Sequence, residues 1–280
     1  MDDHGRSFSF VDRITSVQPG VLIRGHYAIP PGLDVFPASL VAEAVGQLAA
    51  WAAMAAVHFR FRPVAGIAGR IDLLTPVHPG QTLELAADLE SVDEETAAYS
   101  GTALADGVPV IRLQDCVGPM VPMADFDDPQ AVQERFQRLC GPGAAPGGFG
   151  GLPALALDRR GGEAGQPLHA TFQVPVSDPL FADHFPRRPV FPGSVLMHMN
   201  LLLAAELAAE IPPPRPGARW ALRSVSEVKL RAFIAPGDAL ELEAHLSSRS
   251  VHSATLAVET RKGKQVVSGA RVLLAPEDEP

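Results

Sequence analysis

The chain repeats itself, and that repeat constrains its fold more than any other feature. The segment IPPGLDVFPASLVAEAVGQL, Ile29 to Leu48, can be laid on HFPRRPVFPGSVLMHMNLLL, His184 to Leu203, at a constant offset of 155 and without a gap. Pro31 meets Pro186, and Val35-Phe36-Pro37 meets Val190-Phe191-Pro192. Further along, PGQTLELAADL from Pro79 falls on PGDALELEAHL from Pro236 at an offset of 157. An Asp106-Gly107 turn falls on Lys262-Gly263 at 156. Three matches in one order, with nearly equal offsets, imply a duplicated structural unit, and every later assignment follows from it.

Both copies read alike. An extended segment, Gly20 to Ala28 or Pro167 to Val176, leads into a Pro/Gly-rich loop ending at Pro37-Ala38 or Pro192-Gly193. An Ala/Leu-rich stretch follows, Ser39 to Val57 or Ser194 to Ile211, free of internal Pro and long enough for a helix buried on most of its surface. Turn residues then separate segments with alternating apolar positions, such as Leu83, Leu85, Ala87 and Leu89, or Leu240, Leu242, Ala244 and Leu246. Alternation of period two marks antiparallel strands with one buried face. The expected fold class is α+β, each copy one helix wrapped by an antiparallel sheet.

The boundaries follow: residues 1–122 form one unit, 155–280 the second, and 123–154 connect them. Asp125 to Leu139 is polar and helix-compatible, while GPGAAPGGFGG, Gly141 to Gly151, holds too much Gly and Pro to pack and reads as a tether. Among 280 residues, 46% are hydrophobic and 20% charged, enough for packed cores. The formal charge of -9 argues against a nucleic-acid partner, which would need a broad basic face. Cys116 and Cys140 make no disulfide framework, and no Cys/His cluster suggests a metal. The N-terminal MDDHGRSFSF has acids where a signal peptide has basic residues, and no uninterrupted apolar run reaches spanning length, so a cytoplasmic protein without a membrane partner is expected.

The loop HFPRRPVFPG resembles the His-Phe-Pro-Gly-x-Pro-x-x-Pro-Gly signature of bacterial 3-hydroxyacyl-ACP dehydratases, which have the hotdog fold. Phe10-Val11-Asp12-Arg13-Ile14 followed by Pro19-Gly20 resembles that family's opening strand, and Glu43-Ala44-Val45-Gly46-Gln47 its central-helix Glu-Ala-Met-Ala-Gln. The resemblance covers nearly everything outside the tether and termini. It implies a double hotdog, with two sheets each wrapping a central helix and packed as an intramolecular pseudodimer. In the family, each active site takes its histidine from one subunit and its acid from the other.

Here the departures from the family pattern are complementary. The first copy has Glu43 and Gln47, but Ile29 stands at the histidine position and Ala38 at the loop glycine. The second copy has His184 and Gly193, but His198 stands at the acid position and Leu202 at the glutamine. Paired like family subunits, the copies would form one intact site, while Ile29, Ala38 and His198 would mark a degenerate one.

The resemblance implies that His184 removes the proton next to the thioester carbonyl and that Glu43 handles the departing hydroxyl, with no cofactor. Gly193 would offer a backbone N–H to the thioester oxygen, where negative charge grows. Gln47, Val190 and Pro192 are supporting residues. Glu rather than Asp resembles the branch that dehydrates without isomerising. Arg187 and Arg188 replace the family's Gly-x, and either solvation or contact with a carrier protein or pantetheine phosphate would explain them. Residues 1–122 hold 7 basic and 14 acidic side chains against 14 of each in 155–280, which favours the second copy for docking.

The expected function is removal of water from a 3-hydroxyacyl thioester, carried by an acyl carrier protein or CoA, in fatty-acid or polyketide-type synthesis. Two rivals stand beside it: a non-catalytic hotdog module that binds acyl carriers, and a hotdog thioesterase. Covering both sheet edges could call for a second copy, giving a homodimer of pseudodimers.

Overall fold

The computed structural model describes residues 8–146, 148–153, 155–163, 166–213 and 215–278. In the first copy, β1 (Arg13–Gln18) and β2 (Leu22–Ala28) precede helix α1 (Ala38–Ala56). Strands β3 (Phe61–Pro63), β4 (Ile67–Leu73), β5 (Thr82–Val92), β6 (Thr96–Ala105) and β7 (Val108–Pro122) follow. Two helices, α2 (Met123–Phe126) and α3 (Pro129–Cys140), lie between the copies. The second copy has β8 (Asp158–Gly161), β9 (Leu168–Gln173), a short 3-10 turn (Pro179–Ala182), helix α4 (Gly193–Glu210), and strands β10 (Ala218–Leu230), β11 (Ala239–Arg249), β12 (Ala254–Lys262) and β13 (Gln265–Asp278).

Strand order carries the duplication into three dimensions. The first copy runs β1-β2-β5-β6-β7-β4 and the second, read from its far edge, β8-β9-β11-β12-β13-β10. Equivalent strands occupy equivalent places. The expected two sheets are in fact one continuous sheet, because β4 pairs antiparallel with its counterpart β10, from Ile67 against Lys229 to Asp72 against Ser224. Each strand would otherwise be an edge with unpaired backbone groups, and pairing the two edges satisfies both.

The alternating segments bury one face as expected: Leu83, Leu85 and Ala87 on β5, and Leu240, Leu242 and Ala244 on β11. Both helices pack against the sheet and against each other. Helix α1 passes close over β6 at Gly101, where a Cβ would sit 2.5 Å from Val45 Cγ1 and 2.8 Å from the Ala86 carbonyl oxygen. By length and composition α1 is long and apolar enough to cross a membrane, although Ser39, Glu43 and Gln47 interrupt its apolar run. In this fold it is a core helix, burying Leu40, Val41, Ala44, Val45 and Leu48.

The helix-compatible part of the connector forms a helix as expected, whereas the Gly/Pro-rich stretch expected not to pack does pack. Helix α3, capped by Asp128 with Pro129 in its first turn, buries Val132 and Leu139 and stacks Phe136 on Trp51 at 6.1 Å. Within the Gly/Pro-rich stretch, Phe149 is buried against Phe10 and Phe36, with ring centroids 5.2 and 6.0 Å away, and Ala144 N–H donates to the Asp12 carbonyl. One aromatic side chain suffices to anchor a stretch whose composition suggests only flexibility. The connector's boundary at Ala154 lies outside the described residues. Phe149→Ala is expected to lower stability by about 3 kcal/mol, read from urea unfolding. An unchanged midpoint would mean that the segment adds nothing to the core.

Candidate active site

Glu43 sits in the second turn of α1, a position set by the Pro37 N-cap six residues earlier. Gln47, one turn on, donates from Nε2 to Glu43 Oε1 at 2.9 Å and to the Phe8 carbonyl at 3.3 Å. Its Oε1 accepts from the Phe10 N–H at 2.8 Å. The amide is thereby oriented at both ends, and it fixes the carboxylate to the N-terminal segment. Leucine holds the equivalent place in the second copy, and Leu202 is exposed there. Gln47→Leu is expected to lower kcat by about 10- to 100-fold, through misplacement of Glu43, in a steady-state assay of water loss.

His184 follows the 3-10 turn, with its backbone N–H on the Leu180 carbonyl and its own carbonyl accepting from Val190 N–H at 2.9 Å. Its Nδ1 lies 2.9 Å from the Val190 carbonyl oxygen. A carbonyl only accepts, so Nδ1 carries the proton and Nε2 of the neutral ring keeps its lone pair. Burial holds the imidazole pKa below 6.5; Glu43 and the Val190 carbonyl push it up, and Arg62 pushes it down. The edge of Phe8 meets the ring at 5.7 Å, and the neighbouring Asp183 carboxylate accepts from Phe8 N–H at 2.9 Å. The N-terminal segment of one copy thus clasps the histidine loop of the other.

Gly193 opens α4 after Pro192, whose side chain provides no cap, so the first N–H groups of the helix have no side-chain acceptor. A Cβ on Gly193 would strike the Leu230 side chain. The φ of Gly193 lies outside the left-handed region, so a side chain here would require only that the end of Leu230 move.

Glu43, Gln47, His184, Val190 and Gly193 line one cavity of about 400 Å³. A smaller chamber of about 130 Å³ lies between α1 and α4, walled by Ala42, Met197, Leu201, Val225 and Val228. Glu43, Gly193 and Leu230 border both spaces. The structure therefore brings together the acid of one copy with the histidine and glycine of the other.

Of the remaining candidates, Ala38 begins α1 and lines the smaller chamber, whereas Ile29 is buried in the core and His198 is half-buried on α4 with its pKa lowered by burial. Arg187 donates to the Ala124 carbonyl and to Asp128, and Arg188 lies over the rings of Phe126 and Phe233. Both arginines therefore fasten the histidine loop to the connector. Phe8, Asp183 and Arg62 join the site without any sequence signal, except that Phe8 precedes the family-like opening strand.

The comparisons fit this geometry. Residues 162–270 match the ApeI-like family, described as ApeI dehydratase. The "3-hydroxyacyl-[acyl-carrier-protein] dehydratase FabZ" of Shewanella sp. is 26% identical over 129 residues, 44% of this chain and 82% of the relative. That of Tolumonas auensis is 30% identical over 122 residues, 41% of this chain and 81% of the relative. The chain belongs to the FabZ dehydratase family. Those FabZ proteins match less than half of its length. Among solved structures, a putative oleoyl thioesterase from Lactobacillus plantarum covers 93% of this chain and 98% of its own at a TM-score of 0.60 and 11% identity. The tesB protein of Mycobacterium avium covers 94% and 95% at 0.56 and 12%. At such identities the likeness is one of fold, and it extends over both copies: this FabZ relative is a double hotdog.

Proposed function

We propose that this chain removes water from 3-hydroxyacyl thioesters to give trans-2-enoyl thioesters, at one working site per chain. The observation that carries the reading is that Glu43 of one copy and His184 and Gly193 of the other border a single cavity, although neither copy holds the full set. FabZ relatives, whose printed activity concerns acyl-carrier-protein thioesters, support it.

The chemistry runs in two coupled proton movements. Nε2 of neutral His184 takes the proton from the α carbon as electron density moves onto the thioester oxygen. The Gly193 N–H, at the positive end of α4, stabilises that oxygen more strongly in the transition state than in the substrate. The electron pair returns to form the α,β double bond, the β C–O bond breaks, and Glu43, protonated when the substrate binds, delivers the proton with which hydroxide leaves as water; the proton held by His184 then returns to the Glu43 carboxylate and resets the site. No step calls for a cofactor. The apolar chamber between α1 and α4 takes the acyl chain, and the carrier is an acyl carrier protein or CoA.

The test is purified protein with 3-hydroxyacyl thioesters of several lengths, followed by enoyl-thioester absorbance and by a thiol reagent. Enoyl product without thiol is expected. Free thiol from an acyl-CoA would support hydrolysis instead, and neither product would leave the carrier-binding scaffold.

The depressed pKa of His184 sets a pH dependence. Only the neutral ring acts as base, so kcat/KM should hold as pH falls to 6.5 and decline only below it. An acidic limb centred above 6.5 would contradict the geometry. Folding is linked in the same direction: the unfolded chain binds the His184 proton first, so the stability due to the neutral ring is lost as pH falls through 6.5.

A further inference from the structure

Arg62 lies on β3, where it pairs with Val121 of β7, and its side chain is only 16% exposed. The guanidinium carbon lies 3.9 Å from the ring centroid of Phe185, next to His184. Asp127 is its ion-pair partner, but Nη1 and Oδ2 are 3.7 Å apart, too far for a hydrogen bond. Among the described residues its buried Nε has no hydrogen-bond partner. Among the described residues the guanidinium makes no hydrogen bond, though it carries five N–H donors. Withdrawing such a group from water is costly unless acceptors are supplied, and burial lowers its pKa to about 10. Arg62 borders the same cavity as Glu43 and His184, so a ligand entering that cavity can supply what the protein does not.

The two spaces differ in chemistry. The chamber between α1 and α4 has mostly apolar walls and suits hydrocarbon. The wide cavity is lined by Gln47, Arg62 and Asp127 as well as by Trp51 and Met54, a wall that mixes polar and apolar groups. A pantetheine arm has the same mixture, with amide carbonyls spaced by short apolar links. The Asp127 carboxylate partly offsets the guanidinium charge, which favours a neutral carbonyl over a phosphate. Resting on the dehydratase reading, we propose that Arg62 is a substrate-binding residue that donates to an amide carbonyl of the thioester's pantetheine arm.

Binding of unreactive thioethers tests this without turnover. Calorimetry would compare S-butyl- and S-hexyl-pantetheine, and the 4′-phosphorylated S-butyl form, on wild type, Arg62→Met and Arg62→Lys. Arg62→Met is expected to weaken every pantetheine thioether by about 10- to 100-fold, and Arg62→Lys by less. The gain from butyl to hexyl should be unchanged, which places Arg62 on the arm and shows that the chamber is still folded. The proposal is overturned by wild-type affinity in Arg62→Met, by a loss that follows the alkyl chain, by a loss confined to the phosphorylated form, or by no binding to wild type. A protein that binds with this dependence on Arg62 yet never dehydrates a 3-hydroxyacyl thioester overturns the dehydratase reading instead.

Discussion

His184→Ala is expected to lower kcat/KM for water loss by about 10²–10⁴-fold, the range typical of a positioned general base. The deleted ring is the group whose Nδ1 is committed to the Val190 carbonyl and whose Nε2 is therefore basic. The loop around it is also held by backbone hydrogen bonds to Leu180 and Val190, and by Asp183 to Phe8, none of which involves the imidazole. The unfolding midpoint should therefore move much less than the rate. A variant that retains more than a tenth of wild-type kcat/KM would remove His184 from the chemistry.

Glu43→Gln is the companion test, with an expected loss in kcat of similar size, about 10²–10⁴-fold. The substitution keeps the shape of the side chain and an acceptor for Gln47 Nε2, so it isolates proton delivery from packing. Residues that act as a unit are not additive, so the double variant with His184→Ala should be scarcely slower than either single one. Multiplying losses would mean that the two groups serve separate steps or separate sites.

Much of this site was legible in the chain because it rests on short contiguous patterns. The offset repeat exposed the two copies, and within it the complementary losses at Ile29, Ala38, His198 and Leu202 pointed to one shared site. Equivalent strand order and the β4–β10 pairing bear out the pseudodimer. Fusion into one sheet was not legible, since alternation reports which face of a strand is buried and is silent on which edge it meets. The packing of Phe149 was hidden because a single aromatic anchor hardly alters a Gly/Pro-rich composition. Arg62 and the Asp183–Phe8 clasp escaped for another reason: each joins parts of the chain far apart in sequence, and a lone arginine or aspartate beside a strand or loop looks like a solvated surface group. Even the Lys262-Gly263 match was one residue out, as Lys262 pairs with Gln265 and the tight turn is Gly263-Lys264.

The most direct measurement is a crystal structure of the protein with an unreactive 3-hydroxyacyl-pantetheine analogue. The expected result is one ligand per chain, with His184 Nε2 facing the α carbon, a Glu43 oxygen about 2.6–3.2 Å from the β hydroxyl, and the Gly193 N–H on the carbonyl oxygen. A ligand held instead at Ile29, Ala38 and His198, or one touched by Glu43 but never by His184, would contradict a site shared between the two copies.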